Sequence, residues 1–82
     1  MFFFVAFRSR TAASSAFGRL KDYGLTCTLF STPAAANLGC GLSIKFSPSD
    51  LDAVKSICQA ENGYAGVFRA VKFGEKTVVS RL

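Results

Sequence analysis

The chain repeats one unit twice: a short apolar or alternating run, then a helix opened by a serine and closed by a glycine. "FFFVAF" (Phe2–Phe7) precedes "RSRTAASSAFGRLKDYG", and "LSIKF" (Leu42–Phe46) precedes "SPSDLDAVKSICQAENG". In the first unit the continuous apolar run predicts a central strand or one covered on both faces. Ser9 suits an N-cap, Ala13, Phe17 and Leu20 fall on one helical face, and Gly24 suits a helix stop. Gly18 and three serines lower the helix propensity, so packing must hold this helix. In the second unit Leu42, Ile44 and Phe46 point inward and Ser43 and Lys45 outward. Ser47 is expected to cap the helix, with Pro48 at N1, Asp50 at N3 completing a capping-box-like pair, and Gly63 ending it. Leu51, Val54, Ile57 and Cys58 form its apolar face.

Between the units, "LTCTLFS" reads as a strand with Leu25, Cys27 and Leu29 on one face and Thr26, Thr28 and Phe30 on the other. "YAGVFRAVKF" (Tyr64–Phe73) is the last expected strand. The order β-α-β-β-α-β gives an α+β fold, a ferredoxin-like plait with a four-stranded antiparallel sheet and two helices on one face. Residues 1–73 are expected to make a single domain, and residues 74–82 a short C-terminal tail. Nine Phe in 82 residues exceed what one face of so small a core holds. An apolar patch on the open side of the sheet, and with it a homodimer, follows as an expectation.

Ten Lys plus Arg against five Asp plus Glu give a formal charge of +5. That balance favours anionic partners, but the basic residues are scattered and no aromatic-interleaved signature accompanies them, so nucleic acid is not the expected partner. The opening "MFFFVAF" lacks a basic lead-in and a small-residue cleavage site, and is far short of the roughly 20 residues that span a bilayer. No membrane association is expected. Three cysteines without paired spacing, and no His, argue against a disulfide scaffold and a zinc site. A reducing cytoplasm fits best, with no metal and no cofactor. Without His, a papain-type hydrolase is excluded. No phosphate-binding glycine loop is present either, so a carrier or accessory protein is more in keeping than an independent enzyme.

What chemistry the chain offers centres on Cys40, set between Gly39 and Gly41 in the long connection of residues 31–41. In the expected topology that connection shares one rim with the start of the first helix, and so with Arg8, Ser9, Arg10 and Thr11. Cations and a helix N-terminus lower a thiol's pKa, and the flanking glycines would let a reagent approach. A free cysteine is also among the residues most often buried simply to fill space, so a structural Cys40 stands beside the reactive one. Cys27 and Cys58 fall on inward faces and read as core. Asp50 and Asp52 sit in a first helical turn, where they complement the helix dipole.

Taken together, "FRSRTAA" (residues 7–13), "LKDYGL" (20–25), "LFSTP" (29–33), "CGLSIKFSPSDLDAV" (40–54) and "YAGVFRA" (64–70) resemble, in order and spacing, the small bacterial selenium/sulfur carrier protein-like family. The resemblance spans about Phe2 to Lys72. It implies a cysteine that holds sulfur or selenium as a persulfide or selenosulfide and hands it from a donor to an acceptor protein. The matching positions are Cys40 and Gly41, with Ser9, Thr32 and Pro33 from the accompanying blocks. Where the family often has a serine-rich lead-in to the cysteine, this chain has Asn37, Leu38 and Gly39. The alternative is a non-catalytic binding, regulatory or dimerisation module in which Cys40 is structural.

Overall fold

The computed structural model describes residues 1–33 and 41–82. In chain order the elements are β1 (Phe2–Phe7), α1 (Arg10–Asp22), β2 (Cys27–Ser31), β3 (Leu42–Phe46), a 3-10 turn (Pro48–Asp50), α2 (Leu51–Cys58), β4 (Tyr64–Phe73) and β5 (Lys76–Arg81). The strands form one antiparallel sheet in the order β2-β3-β1-β4-β5. The chain is thus α+β with two helices, but the sheet has five strands where four were expected. The fifth comes from the residues read as a tail: Lys76–Arg81 turns back on β4 through Gly74–Glu75 and pairs from Phe73↔Lys76 to Phe68↔Arg81.

The apolar run of β1 takes the centre of the sheet, and its alternation feeds two cores. Val5 and Phe7 face the helices and pack with Ala12, Ala13, Ala16 and Leu20 of α1 and Val54, Ile57 and Cys58 of α2. Phe4 and Ala6 face the other way and pack with Ala65, Phe68 and Ala70 of β4. Both helices therefore lie on one face. The small alanines of α1 let its backbone sit close to the sheet, and fully buried Leu20 contributes about 1.5–3 kcal/mol.

The ends of α1 follow its sequence. Ser9 Oγ accepts the Ala12 N–H at 3.1 Å. At the other end Gly24, at φ 82°, donates to Lys21 O, and Leu25 donates to Leu20 O, a Schellman closure that needs the left-handed residue glycine supplies. The second helix departs from expectation. Its first turn is the 3-10 segment, where Asp50 N–H reaches Ser47 O and the Ser47 hydroxyl meets Ser49 Oγ at 3.0 Å, so no side-chain capping box forms. Helix α2 also ends at Cys58 rather than running to Gly63. The chain unwinds there because Glu61 is drawn to α1, with Oε2 2.9 Å from Arg19 Nη1 and 3.3 Å from Ser15 Oγ, and Gly63 O accepts the Arg8 N–H.

Candidate functional site

The antiparallel ladder of β2 and β3 runs from Cys27↔Phe46 at one end to Ser31↔Leu42 at the other. Past Ser31, the Thr32 N–H donates to Gly41 O at 3.1 Å, closing the stem of the segment that carries Gly39 and Cys40. Those two residues lie outside the described residues. The stem is held a second time by the hydroxyls of Thr32 and Ser43, 2.7 Å apart. Ser43, expected to face solvent, is fully buried. It stands between Ala6 of β1 and Phe30 of β2 on the face opposite the helices, which the aromatic side chains of the second core cover. Its buried hydroxyl finds its partner among the described residues in Thr32.

The pairing Ala6↔Ser43 brings the C-terminal end of β1 to the same end of the sheet. There Arg8, Ser9, Arg10 and Thr11 are all exposed, and so is Gly41. The first turn of α1 carries no acidic residue, so the positive end of its dipole is offset by no local carboxylate. The structure thus gathers Arg8, Ser9, Arg10, Thr11, Thr32 and Gly41 at one end of the sheet. Ser9 is engaged there as the helix cap, as its sequence context suggested.

The two cysteines among the described residues are free thiols, and both are buried. Cys58 has no exposed surface, and burial, with the Glu61 carboxylate adding to it, pushes its thiol up to about 12. Cys27 is also raised by burial, against a smaller opposing pull from Lys21. Both stay protonated at neutral pH, as the core reading of these positions required. Cys27 is one of the residues lining a shallow open cleft of about 370 Å³, with Thr26, Thr28, Lys45, Phe46 and Ser47, at the sheet end away from the Thr32–Gly41 stem. Among the described residues no cluster of His, Cys, Asp or Glu could hold a metal ion, and no helix is long and apolar enough to cross a membrane.

Sequence reasoning did not locate the second core. On the face opposite the helices Phe2, Phe4, Phe30 and Phe68 meet edge-on, tilted or stacked at centroid separations of 5.4–6.0 Å. Lys45 Nζ stands 4.7 Å over Phe2, and the Arg81 guanidinium 4.8 Å over Phe68. The excess of Phe signalled such a cluster. Its basic covers were not readable, since Arg81 reaches Phe68 only through the β4–β5 pairing.

The family model described as "Putative Se/S carrier protein-like" matches residues 2–68. No curated protein and no solved structure matches the chain. The match begins with β1 and stops within β4, taking in both helices and the Thr32–Gly41 stem, and on its extent the chain belongs to the Se/S carrier protein-like family.

Proposed function

We propose that this protein carries sulfur or selenium on Cys40, taking it from a donor protein and passing it to an acceptor. The observation that carries the reading, beside the family match, is the state of the other two thiols. Cys27 and Cys58 are buried and held protonated, which leaves Cys40 as the cysteine for exchange chemistry. Its neighbour Gly41 is exposed at the sheet end that also holds Arg8, Arg10 and the N-terminus of α1, a setting that favours a thiolate and the still more acidic persulfide. The strand order β2-β3-β1-β4 with both helices on one face supports reading the matched domain as a ferredoxin-like plait, with β5 appended. Free thiols suit a reducing compartment such as the cytoplasm.

In the proposed exchange the Cys40 thiolate attacks the outer sulfur of a donor persulfide. A new S–S bond forms at Cys40 Sγ, the donor's S–S bond breaks, and the donor sulfur leaves as a thiolate with the electron pair. An acceptor thiolate then attacks the outer sulfur of the Cys40 persulfide by the same displacement, restoring the Cys40 thiolate. No net oxidant or reductant is consumed. With selenium the attacked atom is the terminal selenium of a donor selenosulfide.

The test is intact mass after incubation with a persulfide source, read on the wild type and on Cys40→Ser. One added sulfur on the wild type, mapped to Cys40 and absent from the variant, is the expected result. An unmodified wild type, or equal uptake by Cys40→Ser, overturns the reading.

A further inference from the structure

The face of the sheet opposite the helices carries cations and no acid. Strand pairing puts Thr28, Lys45, Phe4, Phe68 and Arg81 in one row across all five strands on that face. Lys45 and Arg81 stand three strand spacings apart, about 14 Å, and bracket the Phe4–Phe68 pair. Phe30 flanks the row on one side and Phe2 on the other, and beyond Phe2 exposed Lys72 pairs with exposed Thr77 on the same face. All five acids of the chain lie elsewhere: Asp22 ends α1, Asp50 and Asp52 stand at the start of α2, Glu61 pairs with Arg19, and Glu75 turns β4 into β5. The helix layer, residues 8–26 and 47–63, sets five cations against four acids, a formal +1, whereas the open face holds +3 from Lys45, Lys72 and Arg81. Among the described residues no helix lies over this face.

The way the cations meet the rings decides what fits there. Lys45 is exposed and its ammonium lies 4.7 Å over half-buried Phe2, so that ring turns a π face to the surface under a flexible side chain. A nucleotide offers both partners for an exchange: its phosphate draws the ammonium away, and its base stacks on the ring face so vacated. Phe30, half-buried and edge-on to Phe2, supplies a second ring beside it. Arg81 donates to Ala65 O and rests on Phe68, which fixes its guanidinium as a phosphate contact. The carboxylates of an acidic protein would answer the cations but leave the ring faces empty. A second copy would set Lys45, Lys72 and Arg81 against like charges. We propose that the open face of the sheet binds single-stranded nucleic acid, with Phe2 and Phe30 stacking bases and Lys45, Lys72 and Arg81 holding phosphates. Sheets that present aromatics beside cations are recurring platforms for single strands. These five residues come one from each strand, which is why no such signature runs along the sequence. The surface makes no use of Cys40, so it stands or falls apart from the carrier reading.

The test is fluorescence anisotropy of a fluorescein-labelled oligothymidine over a series of salt concentrations. The wild type should bind, with log K falling against log salt at a slope of about −2, as three phosphate contacts to a single strand require. Lys45→Gln/Lys72→Gln should weaken binding at least about tenfold and flatten the slope to about −0.7. Lys21→Gln/Lys55→Gln removes the same charge from the helix layer and should stay within about twofold of the wild type. Phe2→Leu and Phe30→Leu, each checked for an unchanged melting temperature, should weaken binding about fivefold and leave the slope unaltered. Should Phe30→Leu melt lower than the wild type, Phe2→Leu carries that arm of the test. An abasic strand of the same length should bind at least about tenfold more weakly. No binding by the wild type, equal losses in the two lysine pairs, or equal binding of the abasic strand overturns the proposal. So does a wild type that binds an oligoglutamate as tightly, which would assign the face to an acidic protein. A wild type that sediments as a dimer dissociated by Phe2→Leu or Phe30→Leu overturns it too, and would assign the face to a second copy.

Discussion

Thr32 and Ser43 share a hydroxyl–hydroxyl hydrogen bond of 2.7 Å across the stem that leads to Cys40, and Ser43 is fully buried in making it. Removing the Thr32 hydroxyl takes from buried Ser43 its partner among the described residues, and removing Ser43's takes one from half-buried Thr32. Thr32→Val and Ser43→Ala should each cost about 1–2 kcal/mol, and the double variant should cost less than their sum. Urea denaturation of the four proteins checks this. Strict additivity would show that the two hydroxyls do not depend on one another.

The burial of Cys27 and Cys58 predicts a simple labelling pattern. With iodoacetamide at neutral pH, Cys58 should not be alkylated in the native protein and Cys27, on the wall of an open cleft, only slowly, while both should react once denaturant is added. Peptide mapping after timed quenching separates them from Cys40, which the carrier reading expects to react first. Native-state labelling of Cys58 at the rate of a free thiol would contradict its burial.

The raised Cys58 thiol sets an alkaline limit on stability. The folded state binds this proton more tightly than the unfolded state: an exposed thiol ionises near 9.0, while the folded one holds to about 12. The stabilisation is therefore complete below about pH 8.5 and is lost as the pH rises from there toward 12. The loss should be of order 2 kcal/mol, and Cys58→Ala should show a shallower decline over the same range. Denaturation midpoints for the two proteins between neutral and alkaline pH test the difference in slope. Equal slopes would mean that Cys58 does not carry it.

Gly66 sits at the irregularity where β1 shifts register against β4, at φ 135° and buried. A Cβ there would run into the Arg81 guanidinium, which packs over Phe68 and donates to Ala65 O at 3.1 Å. Gly66→Ala meets both backbone strain and this collision, and should destabilise the fold by about 2–3 kcal/mol. Pairing it with Arg81→Ala should recover the share due to the collision and leave the backbone strain. A fully neutral Gly66→Ala, read by thermal or urea denaturation, would remove the argument.

Local pattern determined much of this protein. The continuous apolar run of β1, the Ser9 cap and Gly24 stop of α1, and the inward faces of Cys27 and Cys58 each depend on residues close in sequence, and each could be read there. The ordered blocks from Phe7 to Ala70 also sufficed to suggest the family. Of the candidate site, the placing of Arg8 to Thr11 at the same sheet end as Thr32 and Gly41 followed from strand order, while Gly39 and Cys40 lie outside the described residues. What tertiary structure decided involves partners distant in the chain. Alternation told which face Ser43 takes but not that the face is covered, because its cover comes from Phe30 and the aromatic cluster. The end of α2 was misplaced because the Glu61 carboxylate pairs with Arg19 across 42 residues. Strand β5 was missed because its largely exposed sequence has no periodic apolar face. Its order comes from backbone pairing with β4 and from Arg81 resting on Phe68, and neither is visible until the chain has folded back on itself.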